Sequence, residues 1–432
     1  MTAMTLVNRI VGSLASGLGR ARGTRRADRL ASLLRTLISE RGEATGAVLA
    51  RRAVALYRGL DDAGRLHFFE RLARDFAPDP TAVLQAAVSY HAAPDAANLA
   101  ALQRATEPAR QEVFRRMNMA AGGTAALLEL RRELLGLLRN HPGLAAIDQD
   151  LTHLLASWFN RGFLELRRID WNTPAAILEK LITYEAVHPI AGFPDLKRRL
   201  ERDRRCLAFF HPALADEPLI FVEVAFVDEL PVLVGPILAQ ESAVGDARKM
   251  RCAVFYSITS CQPGLRGISF GNFLIKQVAE DLHAELPNIK LFATISPVPG
   301  FRAWVSASLG AAQAGELAQA SDEGRHKLER LAAWYLTRGF SGGHSIDPVA
   351  RFHLGNGARL ERIDWMADPS ERGMAQSYGL MVNYVYDLGV VERNHEDYVK
   401  RHQVACSAAV DKLAREAAPW VENARQTPTL IP

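Results

Sequence analysis

Cysteine is scarce in this 432-residue chain, at four residues: Cys206, Cys252, Cys261 and Cys406. None forms a CxxC pair and none stands beside a histidine at zinc-ligand spacing. That usage argues against a disulfide framework and a structural zinc site, and it fits a reducing cytoplasm. Long hydrophobic runs are missing as well. The stretch from Pro218 to Val227 is short and broken by Glu223, so no membrane-spanning segment is expected. Charge of one sign is not in excess either: the formal net charge is +4 and acids are scattered along most of the chain, which leaves no broad surface for nucleic acid. Fixed-length repeats and low-complexity linkers are absent too, so a domain border is taken from a change of apolar period rather than from composition.

Acids are lacking at one place in particular. The first 27 residues carry Arg9, Arg20, Arg22, Arg25 and Arg26 with no acid before Asp28. This is the composition of a mitochondrial presequence, and equally of a frayed amphipathic N-terminus on a bacterial protein. The C-terminal Thr-Leu-Ile-Pro carries no peroxisomal signal.

What the chain has in quantity is apolar residues, 48%, enough for two packed domains. From Ala27 to about Trp158 the apolar period is helical. Leu30, Leu33, Leu34, Leu37 and Ile38 fall on one face, with Gly42 as a stop. Leu66, Phe69, Leu72 and Phe76 predict a second helix; Leu127, Leu128, Leu134, Leu135 and Leu138 predict another that ends before His141-Pro142-Gly143. Near Gly162 the period changes. Phe163 to Ile169 predicts a strand, Thr173-Pro174 a capped helix start, and Cys206–Phe210, Leu219–Val227, Ala253–Ile258 and Lys290–Ile295 further strands. A helix from about Gly271 to Leu286 lies between the last two. Strand, glycine-bearing loop, helix, strand is a crossover unit, and it requires a sheet that is parallel at least there.

Three segments carry chemistry. Gln262-Pro-Gly-Leu-Arg-Gly-Ile-Ser-Phe-Gly-Asn-Phe-Leu-Ile-Lys276 stands where a strand hands over to a helix. Its glycines Gly264, Gly267 and Gly271 would let backbone N–H groups approach an anion such as a pyrophosphate, and they serve a plain structural turn equally well. The loop lacks the Lys-Ser/Thr of a Walker motif and the Rossmann spacing. Phe292-Ala-Thr-Ile-Ser-Pro-Val-Pro-Gly-Phe301 follows at the end of the next strand, where two prolines stiffen the exit after Ser296. Arg351-Phe-His-Leu-Gly-Asn-Gly-Ala358 sets His353 in an apolar, glycine-flanked stretch, and Tyr384 and Tyr386 alternate along a later strand.

The order and spacing of Phe-Tyr-Ser-Ile, Gly-Leu-x-Gly, Gly-x-Phe-Leu-Ile-Lys, Ile-Ser-Pro-Val-Pro-Gly-Phe, Phe-His-Leu-x-Asn-Gly-Ala, Trp-Met-Ala-Asp and Gly-Leu-Met-x-Asn-Tyr resemble malonyl-CoA decarboxylase, as does Glu185-Ala-Val-His-Pro189 upstream. The resemblance covers roughly Trp158 to Leu388, whereas the N-terminal part agrees only in being helical. It implies an α+β chain: a helical oligomerisation domain over 1–156, then an α/β catalytic domain of the GNAT (acetyltransferase) type over 157–432. It further implies decarboxylation of malonyl-CoA to acetyl-CoA and CO2, and a homo-oligomer, dimer or tetramer, formed through the helices. The family's catalytic serine and histidine match Ser296 and His353, and its active-site tyrosine matches Tyr386. The coenzyme A moiety is expected on Gly264, Leu265, Arg266, Gly267, Ile268, Ser269, Gly271 and Asn272. Ser269 departs from the family: animal enzymes have an acidic residue there, so no catalytic carboxylate is carried over.

The reaction itself asks for no metal or organic cofactor, because the thioester carbonyl accepts the electrons that CO2 leaves behind. The protein must orient the C–C bond, stabilise the enolate and protonate its carbon. Ser296 and His353 are expected to pair at the malonyl carboxylate and supply the proton, with either as the donor, and Tyr386 to orient the pair or the enolate. The alternatives are an acyl-CoA N-acyltransferase on the same fold, a serine hydrolase, and a non-catalytic acyl-CoA-binding scaffold. The basic run Lys197, Arg198, Arg199, Arg202, Arg204 and Arg205 reads either as a solvated face or as a contact for coenzyme A phosphates.

Overall fold

The structure, a computed structural model, describes residues 23–39, 45–268, 274–317, 321–341 and 343–426. The expected stop at Gly42 and the arginine-rich segment before Gly23 lie outside these residues. The chain divides into two compact units. One holds the chain up to Leu164 with His211–Glu217 and Gln262–Phe270; the other holds the remainder.

The first unit is helical, with helices at 23–38, Gly46–Arg58, Asp62–Asp75, Pro80–Ala92, Ala96–Thr106, Ala109–Asn118, Gly123–Leu137 and Ala145–Trp158. Aspartates start three of them: Asp61, Asp79 and Asp95 accept from the N–H groups of Gly64, Thr81 and Asn98, donors that a helix end otherwise leaves unpaired. The apolar stripes meet in a core of Leu30, Leu34, Leu37, Tyr57, Phe68, Phe69, Phe114, Leu127, Leu134 and Leu151. The segment 262–268 packs here too. A Cβ on Gly264 would stand 2.2 Å from the Leu128 carbonyl oxygen. Buried Arg131 donates to the carbonyls of Gly264 (2.7 Å) and Arg266 (2.9 Å) while it pairs with Asp148 (2.8 Å).

The second unit is built on one eight-stranded mixed sheet. Its strands are β1 (Glu165–Ile169), β2 (Arg204–Phe210), β3 (Ile220–Val227), β4 (Cys252–Ser260), β5 (Leu291–Thr294), β6 (Ser296–Pro297), β9 (Arg359–Asp364) and β10 (Met381–Val385), with β7 (Phe340–Ser341) and β8 (His344–Ser345) forming a separate hairpin. The order is β1-β2-β3-β4-β5-β10-β6, with β9 also on β10. Among the described strands only β4 and β5 pair in parallel, and between them lies the crossover helix Leu274–Glu285 that the loop and strand signals require. Every residue of β2 is buried, and all but the last of β3, because helices cover both faces of the sheet there. In one cluster Ile177, Leu178, Leu181 and Leu196 pack against Cys206, Phe210 and Phe221; in a second Val234 and Ile237 pack against Val254, Tyr256 and Met381.

Two local readings are corrected. Thr173 does not cap the helix Ala175–Tyr184; its hydroxyl accepts from the Asp170 N–H (3.0 Å), and Pro174 takes the cap position. The basic run is neither a solvated face nor a phosphate contact. Lys197 and Arg202 are exposed, but the other four arginines are buried and paired internally. Arg198 forks onto Asp203 (2.8 and 2.9 Å), Arg199 reaches Asp195 (3.1 Å) and Glu223 (2.8 Å), Arg204 donates to the Ile237 carbonyl (3.1 Å), and Arg205 reaches Glu285 (3.1 Å). Asp195 and Asp203 within the run take up part of this charge, and Glu223 and Glu285 from distant elements take up the rest.

Candidate active site

Ser296 is placed by the end of β5. The chain leaves Thr294, turns at Ile295, and re-enters the sheet as the two-residue β6, where Ser296 stands opposite Val382 of β10 and Pro297 opposite Met381. Proline is tolerated because β6 ends the strand order. His353 comes from a helix the sequence analysis did not derive, Pro348–Gly355. Asp347 caps it, its carboxylate accepting from Val349 N–H and Ala350 N–H at 2.9 Å each, and Pro348 occupies the first turn, where its missing donor costs nothing. Ala350, His353 and Leu354 form the buried stripe of this helix, so the imidazole takes a core position. Tyr386 follows β10 and is pinned by its own N–H on the Phe292 carbonyl (2.8 Å).

These three side chains meet. His353 Nε2 is 3.1 Å from Ser296 Oγ, and His353 Nδ1 is 2.8 Å from the Tyr386 hydroxyl. Ser296 Oγ donates to Thr294 Oγ1 (2.8 Å), which also accepts the Tyr384 N–H (3.2 Å). Tyr384 stacks on the imidazole with ring centroids 4.6 Å apart at 23°. Its buried hydroxyl meets no hydrogen-bond partner among the described residues. Burial pushes the His353 pKa down to about 3, so the ring is neutral across the physiological range, and burial raises that of Tyr386 well above its ordinary value.

Ser296 and His353 line a pocket of about 210 Å³ whose other walls are Val187, Phe255 to Ile258, Ile295, Pro297, Pro348, Val349 and Phe352. The pocket lies where the parallel strands part: the β4–β5 ladder ends at Phe255 and Thr294, while β4 runs on to Ser260. Strand ends that diverge in this way leave backbone groups for a ligand. Val187 is brought there by the Glu185 to Pro189 turn. Buried Glu185 accepts from the N–H groups of Val187 and His188 (2.8 Å each), from Ser257 Oγ (2.8 Å) and from Thr259 Oγ1 (3.0 Å). His188 beside it is pushed down to about 4 by burial.

The loop residues fare differently. Gly264 and Leu265 are buried in the helical unit, where Gly264 has no side chain because Leu128 leaves no room for one. Gly267 is the residue that uses glycine's freedom, with φ at +77° and open space around it. Arg266 and Ile268 flank it, while Ser269, Gly271 and Asn272 lie outside the described residues. Gly267-Ile268-Ser269-Phe270-Gly271 has the spelling of a hydrolase nucleophile elbow, yet the serine paired with histidine is Ser296. From sequence, Thr294 and Asp347 have no part in the site and Tyr384 only a place on a strand. Only Asp347 had a visible signal, an aspartate directly before a proline.

No helix among the described residues is long and apolar enough to cross a membrane. The model of the malonyl-CoA decarboxylase C-terminal domain matches residues 162–325 and 316–424, and that of the N-terminal domain matches 76–159. The mitochondrial malonyl-CoA decarboxylase of Anser anser anser is 33% identical over 409 residues, 83% of this chain and 81% of that protein. Crystal structures of malonyl-CoA decarboxylase from Rhodopseudomonas palustris (47% identity, TM-score 0.85) and Agrobacterium vitis (44%, 0.82) each cover 89% of this chain and are themselves covered to 99%. Sequence, family domains and fold thus converge, and the chain belongs to the malonyl-CoA decarboxylase family.

Proposed function

We propose that this chain is a carboxy-lyase that converts malonyl-CoA to acetyl-CoA and CO2, with Ser296, His353 and Tyr386 as its catalytic residues. The observation that carries the reading is their continuous hydrogen-bonded chain opening into a pocket with mostly apolar walls at the parting of β4 and β5. Apolar walls suit the chemistry. Decarboxylation turns a localised carboxylate into neutral CO2 and a delocalised enolate, so surroundings that solvate the carboxylate poorly favour the products. The thioester is the electron sink. Ser296 gives the enolate carbon its proton, His353 replaces it, and Tyr386 holds the ring. The coenzyme A pyrophosphate is assigned to the Gly264 to Asn272 loop, where Gly267 offers open backbone at positive φ.

An N-acyltransferase would need an acceptor-amine site, which nothing in the pocket favours. Purified protein given malonyl-CoA should form CO2 and acetyl-CoA in equal amounts, and acetyl-CoA alone should give no CO2. Unchanged malonyl-CoA, or free coenzyme A with malonate, overturns the reading.

The division into a helical oligomerisation domain (1–156) and a catalytic domain (157–432) belongs to the same proposal. Its support is the helical pair Pro80–Ala92 and Ala96–Thr106, which has no buried residue in the single chain and exposes Leu84, Val88 and Leu99. A second copy, in a dimer or tetramer, would cover them; a monomer by analytical ultracentrifugation would count against it. The scarcity of cysteine supports a cytoplasmic setting.

A further inference from the structure

The proposed reaction leaves one matter open: which way the protons point along the chain of Ser296, His353 and Tyr386. A serine beside a histidine serves two opposite chemistries. If Ser296 donates to Nε2, the histidine is a base and the serine a nucleophile in waiting. If Nε2–H donates to Ser296, the serine is the end of a proton-delivery line.

We propose that Thr294 is the positioning residue that selects the second order. Thr294 is fully buried at the end of β5, two residues before Ser296, and its Oγ1 lies 2.8 Å from Ser296 Oγ as acceptor. The backbone also fixes this acceptor. Tyr384 N–H binds the same Oγ1 (3.2 Å), and Asn383 Nδ2 donates to the Thr294 carbonyl (2.8 Å). A serine hydroxyl has one proton. Committed to Thr294, it leaves lone pairs facing His353, so the neutral imidazole places its proton on Nε2 and accepts the Tyr386 hydroxyl at Nδ1. The order is then Tyr386 to His353 to Ser296 to Thr294.

The consequence for the reaction follows atom by atom. When Ser296 O–H protonates the enolate carbon, a C–H bond forms and the alkoxide takes the proton of Nε2, while Nδ1 takes that of Tyr386. The ring changes tautomer and is never charged; once the product leaves, solvent in the pocket supplies one proton at Nε2 and Nδ1 returns its own to the tyrosine, which restores the starting order. A buried imidazole that resists protonation suits such a relay.

The inference rests on the proposed reaction for its role, and on geometry alone for the tautomer, so the test reads both. In protein with 15N-labelled histidine, the His353 resonances, assigned by their loss in His353→Gln, should show the Nε2–H tautomer. Thr294→Val keeps the shape, removes the acceptor, and should switch the ring to Nδ1–H. It should also lower turnover about tenfold or more with KM within about twofold, as expected for a lost proton-transfer alignment. Thr294→Ser, which keeps the hydroxyl, should restore tautomer and turnover, which a purely space-filling role for Thr294 does not predict. An Nδ1–H ring in the wild type, or the same tautomer in wild type and Thr294→Val, overturns the inference. Absence of CO2 release by the wild type would instead overturn the proposed reaction and leave the tautomer result to stand by itself.

Discussion

Removing the carboxylate of Asp347 tests how the histidine is held in place without touching it. In Asp347→Ala the N–H groups of Val349 and Ala350 lose the oxygen that accepts them at 2.9 Å each, and the Tyr335 hydroxyl loses a weaker partner at 3.4 Å. Loss of an N-cap costs about 1–2 kcal/mol, and a buried donor left unpaired adds about 1–3 kcal/mol. The Gly300 N–H at 3.5 Å is too long to add much. A loss of roughly 2–5 kcal/mol is therefore expected from urea denaturation. His353 stands one and a half turns into the helix from Pro348. Fraying the first turn moves its ring relative to Ser296, and a displacement of about 1 Å at a reacting group costs about 10²-fold in rate. Turnover should fall by that order while coenzyme A affinity changes little. Asp347→Asn keeps an acceptor for Val349 and Ala350 and should lose less than half as much stability. Native stability and turnover in a folded Asp347→Ala would refute the idea that this cap positions His353.

Gly264→Ala puts a methyl 2.2 Å from the Leu128 carbonyl oxygen, so it should cost about 1–3 kcal/mol through overpacking, read by thermal unfolding; an unchanged midpoint would refute the close packing. The pH dependence of stability should carry the mark of His353. Burial lowers its pKa from 6.5 to about 3, so its neutral form contributes stability that is complete above pH 6.5 and lost as the pH falls. His353→Gln removes that dependence, and the stability gap between variant and wild type should shift in the variant's favour by about 1.4 kcal/mol per unit of acidification below 6.5, whereas parallel profiles would contradict it. Activity should also survive exhaustive treatment with a chelator, since the thioester supplies the electron sink; inhibition reversed by a divalent ion would show a metal requirement.

Much of the fold was legible because local signals agreed with one another. The helical stripes before Trp158 and the strand–loop–helix–strand crossover from Cys252 to Thr294 follow from apolar period and turn residues. The site was legible only in part. Ser296 and His353 are 57 residues apart, and no spacing rule brings them together; the resemblance named them, and the helix that carries His353 was missed although Asp347-Pro348 announces it. Thr294 gave no signal, since its role depends on β10 placing the Tyr384 N–H beside it. The arginines of 198–205 misled for a related reason: their partners Glu223 and Glu285 are distant in sequence, so a local count of charges suggested solvent or phosphate. Gly264 reads equally as a ligand's approach or a structural turn, and what requires the glycine there is the Leu128 carbonyl, far away in sequence.

The central claim is that Ser296 and His353 act as one proton-delivering unit on malonyl-CoA. Single-turnover release of CO2, measured with coenzyme A binding on Ser296→Ala, His353→Ala and the double variant, tests it most directly. Each single change should slow the step by about 10²-fold or more, and the double variant should fall little beyond the slower single. Coenzyme A binding should persist in all three, because most affinity comes from the remote part of the substrate. Simply additive losses, or near-normal release from a well-folded Ser296→Ala, would contradict the account.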